Sequence, residues 1–359
     1  MSNDISNPAA TPRLHGLDYL RGLSALGIMV YHYTTWTWGE HAPGSFMGRV
    51  GIYGVAVFYV LSGITLIYIY ASKLTLCKAD LIDFYTKRFF RIFPLLWLAT
   101  LVSILLSKHA PNPLDLLLNL TGLFGLVKWN TYFATGAWSI GNELTFYLVF
   151  PLLVFLLRRG KFGTLVALSI PVLLFLYFAF FALQANQPLA NQWHTYTNPL
   201  NQLALFAGGV MLGYFVKPNS TNTWRSRLAG VLGLALFMLV PIAGMSSALV
   251  VGFTRVLLSI SCVLLGYSFF RTERAPSYLD KPLALLGQVS YSLYLLHPIV
   301  FAVGKAIFLI LFKLSRGNNI FSNYYFLLTL QITASLIISY YSYYYFERYF
   351  IRLGLRYKQ

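Results

Sequence analysis

Long apolar stretches alternate with short polar or Gly/Pro-rich breaks along almost the whole chain. Most of these stretches reach the length of about 17–25 residues that an α-helix needs to cross the hydrocarbon core of a bilayer. The pattern therefore predicts an all-α polytopic membrane protein. The candidate segments are 16–36, 51–71, 91–107, 113–127, 138–157, 162–183, 199–216, 228–245, 250–270, 284–311 and 323–346.

Segment 113–127 is the weakest candidate, because it is short for a span and contains Asp115 and Asn119. If it does not cross, most Lys and Arg residues fall on one side of the membrane. If it crosses, the basic turn at 158–161 and every later loop change sides. The tendency of Lys and Arg to stay in cytoplasmic loops favours about ten spans with both termini cytoplasmic. We then expect 113–127 to be a short re-entrant or interfacial helix on the outer side.

Composition and charge agree with a membrane protein. Hydrophobic residues make up 57% of the chain and charged residues 10%, against about 45–50% and 25% in soluble domains. The net charge of +17 would suggest nucleic acid in a soluble protein, but here topology explains it. We expect the bilayer, and no nucleic acid, as a partner. Cys77 and Cys262 form neither a disulfide framework nor a metal-ligand pattern, so no metal site is predicted.

The two ends of the chain are polar. Residues 1–15 lack the basic and apolar regions of a signal peptide. The first apolar segment should therefore stay as a span. The ten-span topology then makes residues 1–15 and 347–359 two cytoplasmic tails. The whole chain, 1–359, is predicted to be a single membrane domain without an appended soluble domain.

Ionisable residues inside spans are costly, so each one is a functional hypothesis. The first span contains Asp18, Arg21 and His32. The rise from Arg21 to His32 is about 16 Å, roughly half the hydrocarbon thickness. Asp18 and Arg21 are three residues apart and can pair on one helix face, either as part of a site or as a structural ion pair. His32 is either a catalytic base or a hydrogen-bonded structural histidine.

Two further spans carry candidate residues. Arg88 and Arg91 could bind phosphates through their planar donor groups, or they could simply anchor the helix at the interface. Glu143 is predicted to lie about 8 Å below the outer end of its span, close to the depth of His32. A carboxylate and an imidazole at matching depth suit base catalysis, although the two could share a depth without contact.

The ninth span contains His297, also in the outer half, followed by Pro298. His297 could equally pack between helices and bond to a neighbour. In the second span, Ser62 and Gly63 are expected to permit close helix approach rather than to perform chemistry.

Together these pieces resemble the integral-membrane acyltransferase-3 family of bacterial O-acyltransferases. The resemblance covers most of the chain and keeps the family's order of motifs. The matching motifs are 17–22 (LDYLRG) followed by His32, 58–63 (FYVLSG), 88–94 (RFFRIFP), Trp138-Ser139 with Glu143 and 146–147 (FY), and 290–297 (SYSLYLLH). The sequence departs from the family pattern at Ile64 and Leu96, and no Pro follows Glu347.

The resemblance implies an enzyme of the bacterial inner membrane that moves an acyl group, usually acetyl, from cytoplasmic acyl-CoA to a hydroxyl of a periplasm-facing carbohydrate. Acyl-CoA is then a donor substrate, and no permanently bound cofactor is expected. The resemblance further implies that the Arg21/His32 pair and the Arg88/Arg91 pair are functional. Together with the depth argument for Glu143, the predicted catalytic residues are His32 and Glu143, and the predicted acyl-CoA-binding residues are Arg21, Arg88 and Arg91. The supporting residues are Asp18, Ser62, Trp138, Ser139, Tyr291 and His297.

Two routes of transfer remain open at this point. His32 could take the proton of the acceptor hydroxyl as a general base, or it could carry the acyl group covalently. The main rival function is a transporter or flippase of an anionic or lipid-linked substrate, because polar residues in spans are common there. The chain shows no pair of Gly/Pro-interrupted segments in two related halves, which argues against that rival. A non-catalytic scaffold for polysaccharide assembly is a further alternative.

Overall fold

The computed structural model describes residues 13–107, 109–218, 223–314 and 323–356. Within these residues the chain is helical and contains no β-strand. The α-helices are α1 (His15–Trp38), α2 (Phe46–Tyr70), α3 (Lys78–Ser107), α4 (Pro113–Thr121), α5 (Phe124–Val127), α6 (Ala137–Arg158), α7 (Gly160–Tyr177), α8 (Trp193–Thr197), α9 (Pro199–Phe215), α10 (Thr223–Leu239), α11 (Gly252–Phe270), α12 (Ser277–Leu314), α13 (Tyr324–Tyr341) and α14 (Arg348–Arg356). Short π-helical turns extend α7 (Phe178–Ala182) and join α13 to α14 (Ser342–Glu347), and 3₁₀ turns precede α8 (Leu189–Gln192) and α11 (Ser246–Val250).

Seven helical segments of the described residues are long and apolar enough to cross a membrane. They are α2, α3, α6, α7 with its π-helical turn, α11, α12 and the continuous helix from α13 to α14. The chain is therefore an all-α polytopic membrane protein, as predicted. Helices α1, α9 and α10 also form where spans were predicted, but α9 and α10 have only 17 residues each, and α1 carries charged residues. The number of about ten spans stays a prediction.

Segment 113–127 forms two short helices instead of a span. Asn112 caps α4, because its side chain accepts hydrogen bonds from Leu114 N and Asp115 N. Gly122 ends α4 with a left-handed backbone conformation (φ 74°). The nine residues of α4 rise only about 14 Å, less than half the hydrocarbon core.

Helices α1 and α12 run parallel. Tyr19 bonds to Asp280 near the start of both helices, and His32 bonds to His297 farther along both. Because α1 and α12 run parallel, both begin on the same side of the membrane, and the chain must cross the membrane an even number of times between their starts. If the other predicted spans cross, the number of crossings is even when 113–127 does not cross and odd when 113–127 crosses. We call the end where α1 and α12 begin the arginine end, and the opposite end the histidine end.

Glycines allow the central helices to pack closely. A Cβ atom on Gly22 of α1 would lie 2.6 Å from Gly287 N of α12. A Cβ atom on Gly63 of α2 would lie 2.2 Å from Phe206 O of α9. The expectation that Gly63 permits close helix approach is confirmed. These contacts hold α1 against α12 and α2 against α9.

Two buried arginines bind carbonyl groups at helix ends. Arg49 donates to Phe237 O and Val240 O at the end of α10. Arg255 donates to both Asn201 O and Asn201 Oδ1. Because helix C-termini carry unpaired carbonyl groups and partial negative charge, Arg49 is stabilised there without a carboxylate.

Residues 347–356 of the predicted cytoplasmic tail are helical, and their side of the membrane stays a prediction. The chain stays helical through the π-helical turn and α14, as far as Arg356. Gly354 of α14 packs against Phe90 of α3, where a Cβ atom would lie 2.9 Å from the Phe90 side chain. The regular spacing of Arg348, Arg352 and Arg356 gives this helix a basic face. Residues 1–12 of the predicted N-terminal tail, and residues 357–359, lie outside the described residues.

Candidate active site

A cavity of about 90 Å³, lined by charged, polar and apolar side chains, lies between α1, α2, α3, α6 and α12. We call it the arginine cavity. Seven of the residues singled out in the sequence line it, together with several tyrosines and apolar side chains. These seven are Arg21, Ser62, Arg88, Arg91, Ser139, Glu143 and Tyr291. Helices that are far apart in sequence thus bring the predicted residues to one place.

The three arginines of the cavity differ in how they are held. Arg21 Nη1 lies 3.0 Å from Asp18 Oδ1, and Arg21 Nη2 lies 3.3 Å from Thr65 Oγ1. The predicted Asp18–Arg21 pair is therefore confirmed. Asp18 also accepts a hydrogen bond from Arg13, so its charge is shared between two guanidinium groups.

Arg88 lies in an aromatic environment. Its guanidinium carbon is 5.5 Å from the ring centroid of Tyr70 and 5.7 Å from that of Tyr147. Arg88 Nη2 donates to the Tyr70 hydroxyl at 3.3 Å. Arg88 Nε is buried and has no hydrogen-bond partner among the described residues. Because buried donors are normally paired, this group is available to a bound ligand. Arg91 lines the same cavity with an exposed side chain.

Glu143 faces α2 across the cavity. Its Oε1 accepts a hydrogen bond from Ser62 Oγ at 2.9 Å and a second one from the Tyr147 hydroxyl. Tyr147 follows Glu143 by one helical turn, so both lie on the same face of α6. Ser62 thus contributes a hydrogen bond as well as the small size that was expected of it.

Tyrosines of α12 close the cavity on the opposite side. Tyr291 donates to Ile92 O of α3 at 2.8 Å. The hydroxyls of Tyr294 and Ser139 lie 2.8 Å apart, and each lies within 3.0 Å of Gly136 O. These bonds fix α12 against α3 and α6 at the level of the cavity.

His32 and His297 form a hydrogen-bonded pair above this cavity, toward the histidine end. His32 Nδ1 lies 2.8 Å from His297 Nε2, and His297 Nδ1 lies 2.9 Å from Leu293 O. A carbonyl oxygen only accepts, so His297 Nδ1 is the donor and its neutral ring has Nε2 as acceptor. His32 must then donate from Nδ1, which leaves the lone pair on His32 Nε2.

The two imidazoles differ in access. His297 is 1% exposed, while His32 is partly exposed. Trp36 stacks on His32 with ring centroids 4.9 Å apart and planes tilted by 16°. Tyr33 donates to His297 O at 2.8 Å and also bonds to Ser335 Oγ. Of the two histidines, His32 is the one that a substrate can reach.

The histidine pair does not line the arginine cavity. The ring of Tyr294 lies between them, with its centroid 6.2 Å from that of His297 and 5.7 Å from that of Phe58 on the cavity wall. The described contacts include no hydrogen bond between His32 and Glu143. The partner of His32 is on α12, whereas the partners of Glu143 are on α2 and α6. His32 and Glu143 were predicted to lie at matching depth, but the structure does not bring their side chains together.

Trp138 also lies away from the cavity. Its ring packs edge-on against Trp193 with centroids 5.6 Å apart, and it contacts Tyr196 at the same distance. It is 6% exposed. Its contacts are those of a packing residue that holds the start of α6 against α8.

Four side chains that contact the predicted ones had no role assigned from the sequence. Tyr147 and Tyr294 lie inside the motifs 146–147 and 290–297, but they were not selected as site residues. Trp36 follows His32 by four positions, and this helical spacing could have identified it. Thr65 carried no such signal, because its contact with Arg21 comes from another helix.

Comparisons with known proteins identify similar sequences over most of the chain. The model of the acyltransferase domain family matches residues 14–353. O-acetyltransferase OatA of Staphylococcus aureus is 26% identical over 331 residues, which cover 82% of this chain and 52% of OatA. BcsY of Komagataeibacter xylinus, a candidate membrane-bound transacylase, is 27% identical over 79% of this chain and 72% of its own length. ORF330 of Acidianus two-tailed virus, a candidate acetyltransferase, is 26% identical over 77% of this chain and 80% of its own length.

The chain thus spans about half the length of OatA. No solved structure matches it. The transporter alternative is not favoured by these relatives. The family model extends from α1 into α14, so it includes every residue of the cavity and of the histidine pair. The resemblance seen in the sequence is confirmed, and the protein belongs to the acyltransferase-3 family of membrane acyltransferases.

Proposed function

We propose that this protein is an O-acyltransferase that takes an acyl group, in the simplest case acetyl, from acyl-CoA and transfers it to a carbohydrate hydroxyl. The observation that supports this best is the arrangement of α1. On this helix Arg21 lines the arginine cavity, and His32, eleven residues later, belongs to the histidine pair. A site for an anionic donor and a candidate base therefore share one helix, about 16 Å apart.

The donor end of this proposal rests on charge. Three arginines and one glutamate line the cavity, and planar guanidinium groups suit phosphate oxygens. A cavity of about 90 Å³ is too small for a nucleotide. The phosphates of CoA would therefore stay at the mouth beside Arg88 and Arg91, while the slender pantetheine arm enters. The basic residues at the arginine end favour a cytoplasmic location for this mouth in the bacterial inner membrane.

The acceptor end rests on the histidine pair. His32 Nε2 would take the proton of the acceptor hydroxyl as the hydroxyl oxygen bonds to the thioester carbonyl carbon. The carbon–sulfur bond then breaks, and the imidazolium returns the proton to the departing sulfur, so that the products are an ester and free CoA. A positioned base of this kind contributes about 10²–10⁴-fold to the rate. His297 would hold His32 in the reactive tautomer. Tyr294 must move or rotate for the thioester to reach His32, since its ring separates the two regions.

The donor site is tested with Arg88→Ala and Arg91→Ala. Each variant should weaken acyl-CoA binding by about 1.5–3 kcal/mol, the value of a hydrogen bond to a charged group. Lys should restore binding only in part, because it lacks the paired donors. Arg159→Ala is the matched control, since Arg159 packs over Phe155 at the same end and does not line the cavity. Wild-type affinity in both Ala variants would leave these arginines as anchors only.

The base is tested with His32→Gln. The variant should fold and bind acyl-CoA normally but lose acyl transfer by at least about 10²-fold, because an amide cannot take the proton. Radiolabelled acetyl-CoA without acceptor separates the two routes. Direct transfer leaves no label on the protein, whereas a covalent acyl-histidine leaves label that His32→Gln abolishes. Near-wild-type transfer by His32→Gln would remove His32 from the mechanism.

A further inference from the structure

A second, larger cavity lies at the histidine end between α1, α12 and α13. Its volume is about 430 Å³, within the range of about 300–1,000 Å³ that is typical of small-molecule sites. Aromatic rings of Trp36, Phe301 and Phe308 form much of its wall, and Lys305 and Gln331 contribute polar groups. None of the sequence motifs described above pointed to this cavity.

The histidine pair separates this cavity from the arginine cavity along two helices. On α1 the order is Arg21, His32, Trp36, and on α12 it is Tyr291, His297, Phe301. In both helices the second cavity begins four residues, or about 6 Å, beyond the histidine. Trp36 contacts both histidine rings, with centroid distances of 4.9 Å to His32 and 6.2 Å to His297. A ligand in the second cavity would therefore lie next to the only exposed imidazole of the pair.

We propose that this second cavity binds the sugar ring that carries the acceptor hydroxyl. The inference rests on the proposed function and adds to it the place where the acceptor binds. A pyranose has C–H faces that pack on aromatic rings and hydroxyls around its edge that need hydrogen-bond partners. The exposed face of Trp36 provides the ring surface, and Lys305 and Gln331 provide donors at the rim.

Much of the wall is apolar, but its polar groups favour a sugar over an alkyl chain. Gln331 is 6% exposed, and among the described residues its side-chain amide makes one long hydrogen bond, at 3.4 Å to Phe301 O. The Thr37 and Tyr324 hydroxyls add further polar groups to the wall. An alkyl chain would cover such groups without pairing them, which is unfavourable, whereas sugar hydroxyls can pair with them. The ammonium group of Lys305 also suits a sugar that carries a carboxylate or phosphate.

The test measures protection of a thiol on the cavity wall. Cys77 and Cys262 are replaced by Ser and Ala, and Leu309→Cys is introduced on the wall, so that Lys305 and Gln331 stay in place. The labelling rate of Leu309→Cys by a maleimide is measured in nanodiscs, with octyl β-D-glucoside as the probe. Octyl tetraethylene glycol ether serves as the comparison, because it has the same alkyl chain without a sugar. Ala302→Cys is the matched control, since Ala302 is exposed on the same helix and does not line the cavity.

At ten times its dissociation constant, the glucoside should slow labelling of Leu309→Cys about tenfold and leave Ala302→Cys unchanged. The ether should protect neither position. Adding Leu327→Trp, which fills the cavity, should abolish protection, whereas Leu330→Trp on the exposed side of α13 should preserve it. Equal protection by the ether would show an alkyl groove, and no protection by the glucoside would also overturn the proposal. Acyl-CoA affinity and thioester cleavage report separately on the proposed function.

Discussion

Replacement of His297 tests whether this residue orients His32 or acts as a base itself. In the structure His297 accepts the Nδ1 proton of His32 at 2.8 Å and is fixed by Leu293 O at 2.9 Å. His297→Leu keeps a side chain of similar size but removes the acceptor. A buried donor that loses its partner costs about 1–3 kcal/mol. If this orientation is needed only during transfer, the rate should fall about 5–150-fold, since 1.36 kcal/mol corresponds to a factor of ten.

His297→Gln is the conservative replacement. Its amide oxygen can accept from His32 Nδ1, and its NH₂ group can donate to Leu293 O, so the lone pair stays on His32 Nε2. We expect transfer within about fivefold of the wild-type rate. The assay measures the turnover rate at saturating acyl-CoA beside the acyl-CoA affinity of the same preparations. An orienting role lowers turnover in His297→Leu and leaves donor affinity unchanged.

Ser335→Ala is the structural control for this series. This substitution removes the hydrogen bond between Ser335 and Tyr33 next to the histidine pair and changes neither imidazole. If Ser335→Ala lowers turnover as much as His297→Leu does, loosened packing rather than lost orientation explains both. If His297→Gln is as inactive as His32→Gln, His297 takes part in proton transfer and the orienting role is refuted. Wild-type turnover in His297→Leu would refute any role for the pair.

Three further predictions concern topology, packing and charge. In a chain without native cysteines, Gln187→Cys should react with an impermeant maleimide from the periplasmic side and Gly160→Cys should not; the opposite result would overturn the ten-span topology. Gly63→Ala should lower the melting temperature, because its Cβ atom would lie 2.2 Å from a backbone oxygen and overpacking of this kind costs about 1–3 kcal/mol. Gly208→Ala should leave the melting temperature unchanged, because the nearest atom to its Cβ lies at 3.7 Å. Glu143→Gln keeps both hydrogen bonds as acceptor, so transfer should fall less than in His32→Gln; an equal loss in the same assay would assign the carboxylate a direct role.

The parts of the fold that depend on local sequence could be predicted well. Apolar length located the helices, and the basic residues excluded 113–127 as a span, in agreement with two short helices around Gly122. The Asp18–Arg21 pair followed from helical spacing alone. The end of the last helix could not be predicted from apolar length, because α14 is amphipathic and is held by packing on α3 through Gly354.

The candidate site shows where such reasoning stops. The sequence gives the height of each residue along its helix, at about 1.5 Å per residue, and its direction around the helix, at about 100° per residue. By that measure Arg21, His32 and Trp36 lie within about 60° of one another on α1, and the structure does place them on one stripe, between the arginine cavity and the second cavity. The sequence does not give the direction in which a side chain points relative to a second helix, because that direction depends on how the two helices pack.

Glu143 and His32 were therefore matched in height while their relative direction was unknown. The glycine contact between α1 and α12 turns the His32 stripe toward His297, and Glu143 faces Ser62 on α2 instead. The consequence is chemical. A carboxylate next to His32 would stabilise its charged form, whereas a neutral imidazole fixes its tautomer without adding charge. If the base is oriented by His297, substitutions that rotate α12 against α1, such as Gly287→Ala, should impair transfer, and intact transfer in that variant would contradict this dependence.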